Sequence, residues 1–335
     1  MKAMVLAAGL GQRMRPLTLL RAKPVLPVLG RPLVAHTLER LARAGVREAI
    51  VNLHHLPESV TAALGTGRRF GLRVRYVREP VILGTGGGPR AVRELFEGEP
   101  ALLVNGDVWF DFDLRRIVAR HSTSGALATL ALRRTLKGET YSAVLTGRAG
   151  RIVSIGGRPR SGRGTVSMFA GIHVLDSRLL ERLPPGASDS VRDLYLPMLA
   201  EGARLAGVRA AGAWYDFGRP SLYRDAQLGM LRRRGRSQLV VGAAARVSAG
   251  ADVARSVIGA RSRVGAGSRV ERSVLWEDAV VEPGAQVLRA IVTAGGVVRG
   301  GERADSVIVL PLATEGLDER AGFERHGDMA WVGIE

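Results

Sequence analysis

A chain of 335 residues is too long for one small core and long enough for two domains. With 46 % apolar and 24 % charged residues and no cysteine, the composition describes a soluble globular protein, excludes disulfides and thiolate metal sites, and fits the cytoplasm. The net charge of +18 is spread along the chain, and with 5 % aromatic residues it favours small anions such as phosphates over nucleic acid.

The opening MKAMVLAAGLG runs straight into arginines and a turn, so it lacks the form of a signal peptide. No apolar run approaches the ~18 residues of a membrane span, and no membrane partner is expected. MKAMVLA, EAIVNLH, LRVRYV and ALLVNGD read as strands, and their near-continuous apolar character suits strands buried on both faces. Between the first two, PLVAHTLERLARAGV reads as an amphipathic helix: Leu33, Thr37, Leu38, Leu41 and Ala42 share a face, and Gly45 sits at its stop. PESVTAALGTGRRFG reads as a second helix. Strand and helix in alternation predict an α/β fold, a doubly wound, mostly parallel sheet of Rossmann-like type, with ligands at the carboxyl ends of its strands.

Near Gln238 the pattern changes. Val241, Val247, Val253, Ile258, Val264, Val270, Leu275, Val281, Val287, Val292 and Val298 recur at spacings of 6, 6 and 5, a 17-residue period. Arg255, Arg272 and Arg289 repeat with the same period. One apolar residue per step and three steps per turn predict a short triangular parallel β-helix near the hexapeptide type. The register is expected to slip near Ser306, Val307 and Ile308, where the coil would end; residues 229–238 would be the connector, and residues 313–335 show no readable pattern.

The stretch LAAGLGQRMRPLT, residues 6–18, poses the functional question. Gly9 and Gly11 follow a strand, but Met14 stands where a dinucleotide fingerprint needs its third glycine, and no Gly-Lys-Ser/Thr follows as in a Walker loop. What remains is a glycine loop with Arg13, Arg15 and, ten residues after Arg13, Lys23. Backbone N–H groups there can cradle phosphate oxygens while the cations offset their charge. Lys23 stands out in a chain that otherwise prefers arginine, because a compact ammonium reaching one oxygen is not replaced by a planar guanidinium. Asp107, at the end of a strand in LLVNGD, and Asp216, in AWYDFGRP, supply carboxylates suited to Mg²⁺ beside a triphosphate. Asp111 and Asp113 read as helix caps, and His54 with His55 as a structural pair at a strand end.

In this order, LAAGLGQRMRPLT…KPVLPV, ILGTGGG, LLVNGD and AWYDFGRP resemble the sugar-1-phosphate nucleotidyltransferases, the nucleoside-diphosphate-sugar pyrophosphorylases. FAGIHVLD, DLYLPMLAEG and VNLHH are also similar to family segments. The resemblance covers about residues 1–228, and the appended coil is similar to the left-handed β-helix of the mannose-1-phosphate guanylyltransferase branch. It implies a catalytic domain at 1–230, a β-helix at 238–312 and a tail at 313–335. It further implies that Leu6, Ala7, Ala8, Gly9 and Gly11 line the nucleotide site, that Arg13 holds the triphosphate, and that Gly84, Thr85, Gly86 and Gly87 approach the base. Lys23 would hold the reacting phosphate, Asn105 would lie beside nucleotide or sugar, Asp107 and Asp216 would bind Mg²⁺, and Gly171 would contact the sugar. Tyr141 and Ser142 stand where many relatives carry Tyr-Gly, and Gly157, Arg158 and Pro159 where many carry Glu-Lys-Pro; Arg158 is the candidate to replace that lysine at the sugar phosphate.

The implied reaction is nucleotidyl transfer from a nucleoside triphosphate to a sugar 1-phosphate. GTP with mannose 1-phosphate is favoured by the β-helix. UTP or dTTP with glucose 1-phosphate or N-acetylmuramate 1-phosphate, and a non-catalytic subunit that binds a nucleotide sugar, are the alternatives. Residues 238–310 contain no histidine and only about four coils, which argues against an acyltransferase and leaves the β-helix as an assembly element of a homo-oligomer.

Overall fold

The structure, a computed structural model, describes residues 1–136, 139–159, 163–233, 235, 238–318 and 322–334, so part of the connector expected at 229–238 lies outside the described residues. Packing divides the chain into two compact units, Met1–Leu10 with Val34–Tyr215 and Gly11–Leu33 with Asp216–Glu335. Among the described residues, no helix is long and apolar enough to cross a membrane.

In the first unit the four strands read from the sequence form at Lys2–Leu6, Glu48–Leu53, Arg73–Arg78 and Ala101–Asn105, and all pair in parallel. Every residue of Glu48–Leu53 is buried, Glu48 and Asn52 included, as its near-continuous apolar pattern suits a central strand. The two expected helices form at Leu33–Arg43 and Pro57–Leu64. From Lys2–Leu6 the chain moves outward to Glu48–Leu53 and Arg73–Arg78, then returns to place Ala101–Asn105 on the other side of Lys2–Leu6. The strand order therefore reverses between Lys2–Leu6 and Ala101–Asn105, which opens a crevice outside their carboxyl ends.

Beyond Ala101–Asn105 the sheet turns antiparallel. The eleven-residue strand Thr165–Leu175 pairs with Ala101–Asn105 and also with Ala128–Arg133 and Ala143–Thr146. Its core contains one titratable group, His173, which is 1 % exposed and hydrogen-bonded through Nδ1 to the Tyr195 hydroxyl. Burial holds the His173 imidazole neutral by pushing its pKa down to about 3, against a smaller upward pull from Asp189.

In the second unit the expected β-helix forms with the expected period. Three parallel ladders begin at Val240–Val241, Arg246–Val247 and Asp252–Ala254, and each coil pairs residue for residue with the one 17 positions on. Each coil turns three corners in left-handed backbone conformation. Arg255, Arg272 and Arg289 (φ 47°, 51° and 50°) occupy one, and Gly250, Gly267, Gly284 and Gly301 (φ 67–82°) another. The repeated arginine is thus a corner residue, and Arg255 and Arg289 each pair with an acid on the following coil, Glu271 and Asp305. Exposed pairs of this kind contribute at most about 1 kcal/mol. Ile258, Leu275, Val292 and Val309, each at most 1 % exposed, stack in one interior row and contribute roughly 1.5–3 kcal/mol apiece. The apolar rows therefore hold the coil, and the ion pairs decorate it.

Two features of the coil's end differ from the sequence reading. No slip occurs near Ser306: Val292 pairs with Val309, and Ser306 (φ 58°) takes the corner that Arg289 takes one coil earlier. The pattern is interrupted only because Ala304 replaces the valine found at Val287, its ladder partner. Residues beyond the coil form a hairpin, Phe323–His326 with Met329–Gly333, whose second strand lies antiparallel on Val307–Pro311. Met329 and Trp331 close the apolar core at that end.

The buried neutral His173 makes stability depend on acid. An unfolded chain would protonate this histidine near 6.5 and the folded one near 3, so stability falls as pH drops through that window, by up to about 1.4 kcal/mol per unit. His173→Gln should flatten the urea-unfolding free energy between pH 6.5 and 4 relative to wild type. An unchanged slope would contradict this assignment.

Candidate active site

The carboxyl end of Lys2–Leu6 lies in register with that of Ala101–Asn105, so Leu6 is opposite Asn105. Gly106 N–H donates to the Leu6 carbonyl at 2.9 Å, and a Cβ at 106 would stand 2.5 Å from that oxygen. Only glycine permits this approach, which brings the next residue, the half-buried Asp107, beside the start of the 6–18 loop. Within that loop Ala7 and Ala8 are buried, while Gly9 is exposed with open space around its missing side chain. Gly171 completes this wall. It sits at φ +73° in an irregularity of Thr165–Leu175, and a Cβ there would be 2.7 Å from Asn105 Nδ2. Leu6, Ala7, Ala8, Gly9, Asn105, Asp107 and Gly171 are therefore gathered at one crevice of the first unit.

A buried polar network, missed in the sequence, holds this crevice. Ala7 N–H donates to Asn52 Oδ1 at 2.6 Å, Asn52 Nδ2 donates to Glu79 Oε1 at 2.8 Å, and Leu83 N–H donates to Glu79 Oε2 at 3.0 Å. Asn52 and Glu79 are 3 % and 5 % exposed. The Glu79 carbonyl also bonds His54 Nδ1, which gives that histidine the structural place expected of it. The sequence signal was a lone asparagine inside an otherwise apolar strand: a buried amide there must find partners.

Leu83 leads into GTGGGPRA, which is helical over Gly84–Ala91. Glycine is about 1 kcal/mol less favourable than alanine in a helix, so Gly84, Gly86, Gly87 and Gly88 need another reason to be there. Cβ atoms at Gly84 and Gly86 would press on Ser188, one at Gly87 on the Gly186 carbonyl, and one at Gly88 on Glu79. Gly86 N–H donates to the Ser188 carbonyl, and Thr85 Oγ1 donates to Asp189 Oδ2 at 3.0 Å. These glycines thus serve close packing against the 186–190 loop and against Glu79.

Gly11, Arg13, Lys23 and Asp216 belong to the second unit. Gly11 (φ +62°) starts the short turn Gln12–Met14, in which Arg13 is exposed. Thr18 Oγ1 donates to the Gly11 carbonyl at 2.9 Å, and a Cβ at Gly11 would be 3.4 Å from Lys23 Cβ, so the loop glycine and the lysine are neighbours. Lys23 begins the turn Lys23–Val25 and is 8 % exposed. Asp216 is half-buried and directly follows Tyr215, whose ring lies 5.8 Å from Trp109 in the first unit. Arg158 is exposed in a tight turn after Ile152–Ile155, and two strands stand between that edge strand and Ala101–Asn105. Asp113 caps the helix Leu114–Ser124, as expected, while Asp111 accepts from Ala213 N–H.

Asn52→Leu should leave both Ala7 N–H and one Glu79 oxygen buried without a partner. The expected loss is about 1–3 kcal/mol per orphaned group in urea unfolding, and an unchanged midpoint would contradict the network's role.

Residues 2–233 match the family described as nucleotidyl transferase, and residues 230–305 match a GlmU-like C-terminal hexapeptide family. The chain is 34 % identical to mannose-1-phosphate guanylyltransferase of Mycobacterium tuberculosis over 65 % of its own length and 61 % of that protein's. It is 32 % identical to N-acetylmuramate alpha-1-phosphate uridylyltransferase of Neisseria meningitidis serogroup B, over 68 % of this chain and 97 % of that one. Against UTP–glucose-1-phosphate uridylyltransferase of Synechocystis sp. the identity is 30 %, over 76 % and 70 %. The match thus spans less than two thirds of the Mycobacterium protein. A solved structure from Bacillus anthracis, described by name as a glucose-1-phosphate thymidylyltransferase, shares the fold at a TM-score of 0.57 and 22 % identity, over 68 % of this chain and 93 % of that one. The chain belongs to the nucleotidyl transferase family.

Proposed function

We propose that the protein transfers a nucleotidyl group from a nucleoside triphosphate to a sugar 1-phosphate and releases pyrophosphate. The observation that carries this reading is the strand-reversal crevice: an open glycine at Gly9 and a carboxylate at Asp107 stand at the ends of adjacent parallel strands, in a chain of this family. A phosphate oxygen of the sugar 1-phosphate, already ionised near neutral pH, attacks the α-phosphorus in line. The new O–P bond forms as the α–β bond breaks, and the electron pair leaves with pyrophosphate. No general base is required, so none of the six histidines is needed for the transfer.

The chain's work is to hold two anions together against their repulsion and to fix their geometry. Ala7, Ala8, Gly9 and Gly11 line the nucleotide, Arg13 offsets charge on the departing pyrophosphate, and Lys23 holds the phosphate that attacks. Leu6, Asn105, Gly84, Thr85 and Gly86 complete the nucleotide side; Gly171 and Arg158 are assigned to the sugar side. Asp107 and Asp216, each a half-buried acid in its own unit, are assigned to Mg²⁺ because a hard cation prefers carboxylate oxygens. Mg²⁺ held there would neutralise phosphate charge.

GTP with mannose 1-phosphate is the preferred pair, supported by the similarity to the Mycobacterium enzyme and by the appended coil. UTP or dTTP with another sugar 1-phosphate is the second reading. It is supported by the Neisseria protein, which the match covers almost completely, and by Gly157 and Arg158 where many relatives carry Glu-Lys. The absence of cysteine supports a cytoplasmic setting.

Four nucleoside triphosphates crossed with a panel of sugar 1-phosphates, with pyrophosphate release as readout, test the reaction and its substrates together. One pair should stand at least tenfold above the rest, and no release from any pair would overturn the proposal. Lys23→Ala and Asp107→Ala should each abolish release while melting as wild type does. Gly9→Ala should melt normally, because its Cβ meets no protein atom, yet lose activity because the methyl occupies ligand space. Near-normal turnover in any of the three would contradict its assigned role.

A further inference from the structure

The third coil departs from the pattern of its neighbours. At matching positions of successive coils the sequence reads Gly242 with Ala243, Gly259 with Ala260, Trp276 with Glu277, and Thr293 with Ala294. Small residues stand here in the first two coils and a small pair in the fourth, whereas the third carries a tryptophan and a glutamate. Trp276 is 1 % exposed, so an explanation in terms of a solvated surface does not apply.

Both replacements face the segment that carries Lys23, within the second unit. The Arg21 guanidinium pairs with both oxygens of the Glu277 carboxylate and lies over the Trp276 ring, 5.3 Å from its centroid. Trp276 Nε1–H donates to the Tyr223 hydroxyl at 3.0 Å, and that hydroxyl donates to the Pro27 carbonyl. Gln227, one helical turn after Tyr223 on Pro220–Arg232, accepts from Leu29 N–H at 2.8 Å. Arg21 precedes Lys23 by two residues, and Pro27 and Leu29 follow it by four and six. The segment is therefore tied on both sides of the lysine, to the coil before it and to the coil through Tyr223 after it. A tie at one point would leave the turn Lys23–Val25 free to swing; ties on both sides fix where its ammonium sits.

We propose that Trp276 and Glu277 make the third coil of the β-helix a positioning element for Lys23, so that the coil serves the transfer step and not only assembly. This rests on the reading of Lys23 as the residue that holds the attacking phosphate. Reacting groups displaced by about 1 Å commonly lose on the order of a hundredfold in rate, and loosening one of two ties should lose less.

The test uses the full chain with its preferred substrate pair, at a temperature well below melting. Glu277→Ala and Trp276→Phe, the second keeping a ring but losing the N–H donor, should each lower kcat about tenfold and raise KM for the sugar 1-phosphate, with KM for the triphosphate nearly unchanged. Exchanging the charges, Arg21→Glu with Glu277→Arg, should recover part of the loss seen in Glu277→Ala. Arg269→Ala, which removes an exposed coil pair with Glu271, serves as the control and should change neither constant. A lowered melting temperature with wild-type kcat and KM in both coil variants would show a purely structural contact and overturn the proposal. Lys23→Ala separates the two levels. If it is inactive while the coil variants are normal, only the positioning role fails. Turnover that survives Lys23→Ala overturns the reading of Lys23 itself.

Discussion

Where Lys2–Leu6 pairs in parallel with Ala101–Asn105, strand order reverses, and in a sheet of this type the connections on either side of such a point diverge. The gap between them exists for that reason alone. Its depth is set by Gly106, whose backbone approaches the Leu6 carbonyl closely enough to exclude any side chain, and which thereby delivers Asp107 to the lip of the gap. Asn52 and Glu79 then fix the loop after Leu6 to the glycine helix after Leu83, so the two segments share one buried carboxylate. A buried carboxylate with all its partners made is a strong constraint, since each lost partner costs more than an exposed ion pair contributes.

The parallel half of the sheet was legible because three of its strands are buried on both faces and periodic helices separate them, whereas Arg73–Arg78, expected to be buried likewise, is an edge strand with Arg73, Arg75 and Arg78 exposed. The antiparallel half was harder to read. Thr165–Leu175 is one long strand pairing with three neighbours, and its irregularity at Gly171 leaves no mark in apolar spacing. At the site, Gly9, Asn105 and Asp107 were visible because glycines and acids at strand ends have few other uses. Asn52 and Glu79 were not singled out, because their role is to hold backbone groups, and nothing in their spacing shows which ones. The glycines of Gly84–Ala91 show the opposite difficulty. They resemble a ligand loop, yet Ser188, Gly186 and Glu79 account for the missing side chains.

The β-helix was the most legible element, since a compound period of 17 has little other explanation, and the ladders follow it residue by residue. What the period hid were its exceptions. Ala304 imitated a register slip, the hairpin that closes the coil lay outside any repeat, and Trp276 with Glu277 stood among small residues without disturbing the apolar rows. In a repeat, the residues that break the pattern without breaking the coil are the ones free to serve something else.

Chemically, the proposed transfer asks little of the protein beyond geometry and charge. In the proposed reaction the attacking phosphate needs no activation, the chain supplies no covalent nucleophile, and the barrier is lowered by holding two anions in line. The stereochemical course at the α-phosphorus tests this most directly. A triphosphate made chiral at that phosphorus by one sulfur atom should yield a nucleotide sugar of inverted configuration, as a single in-line displacement requires. Retention would mean two displacements through a nucleotidyl-enzyme intermediate, and would contradict the account.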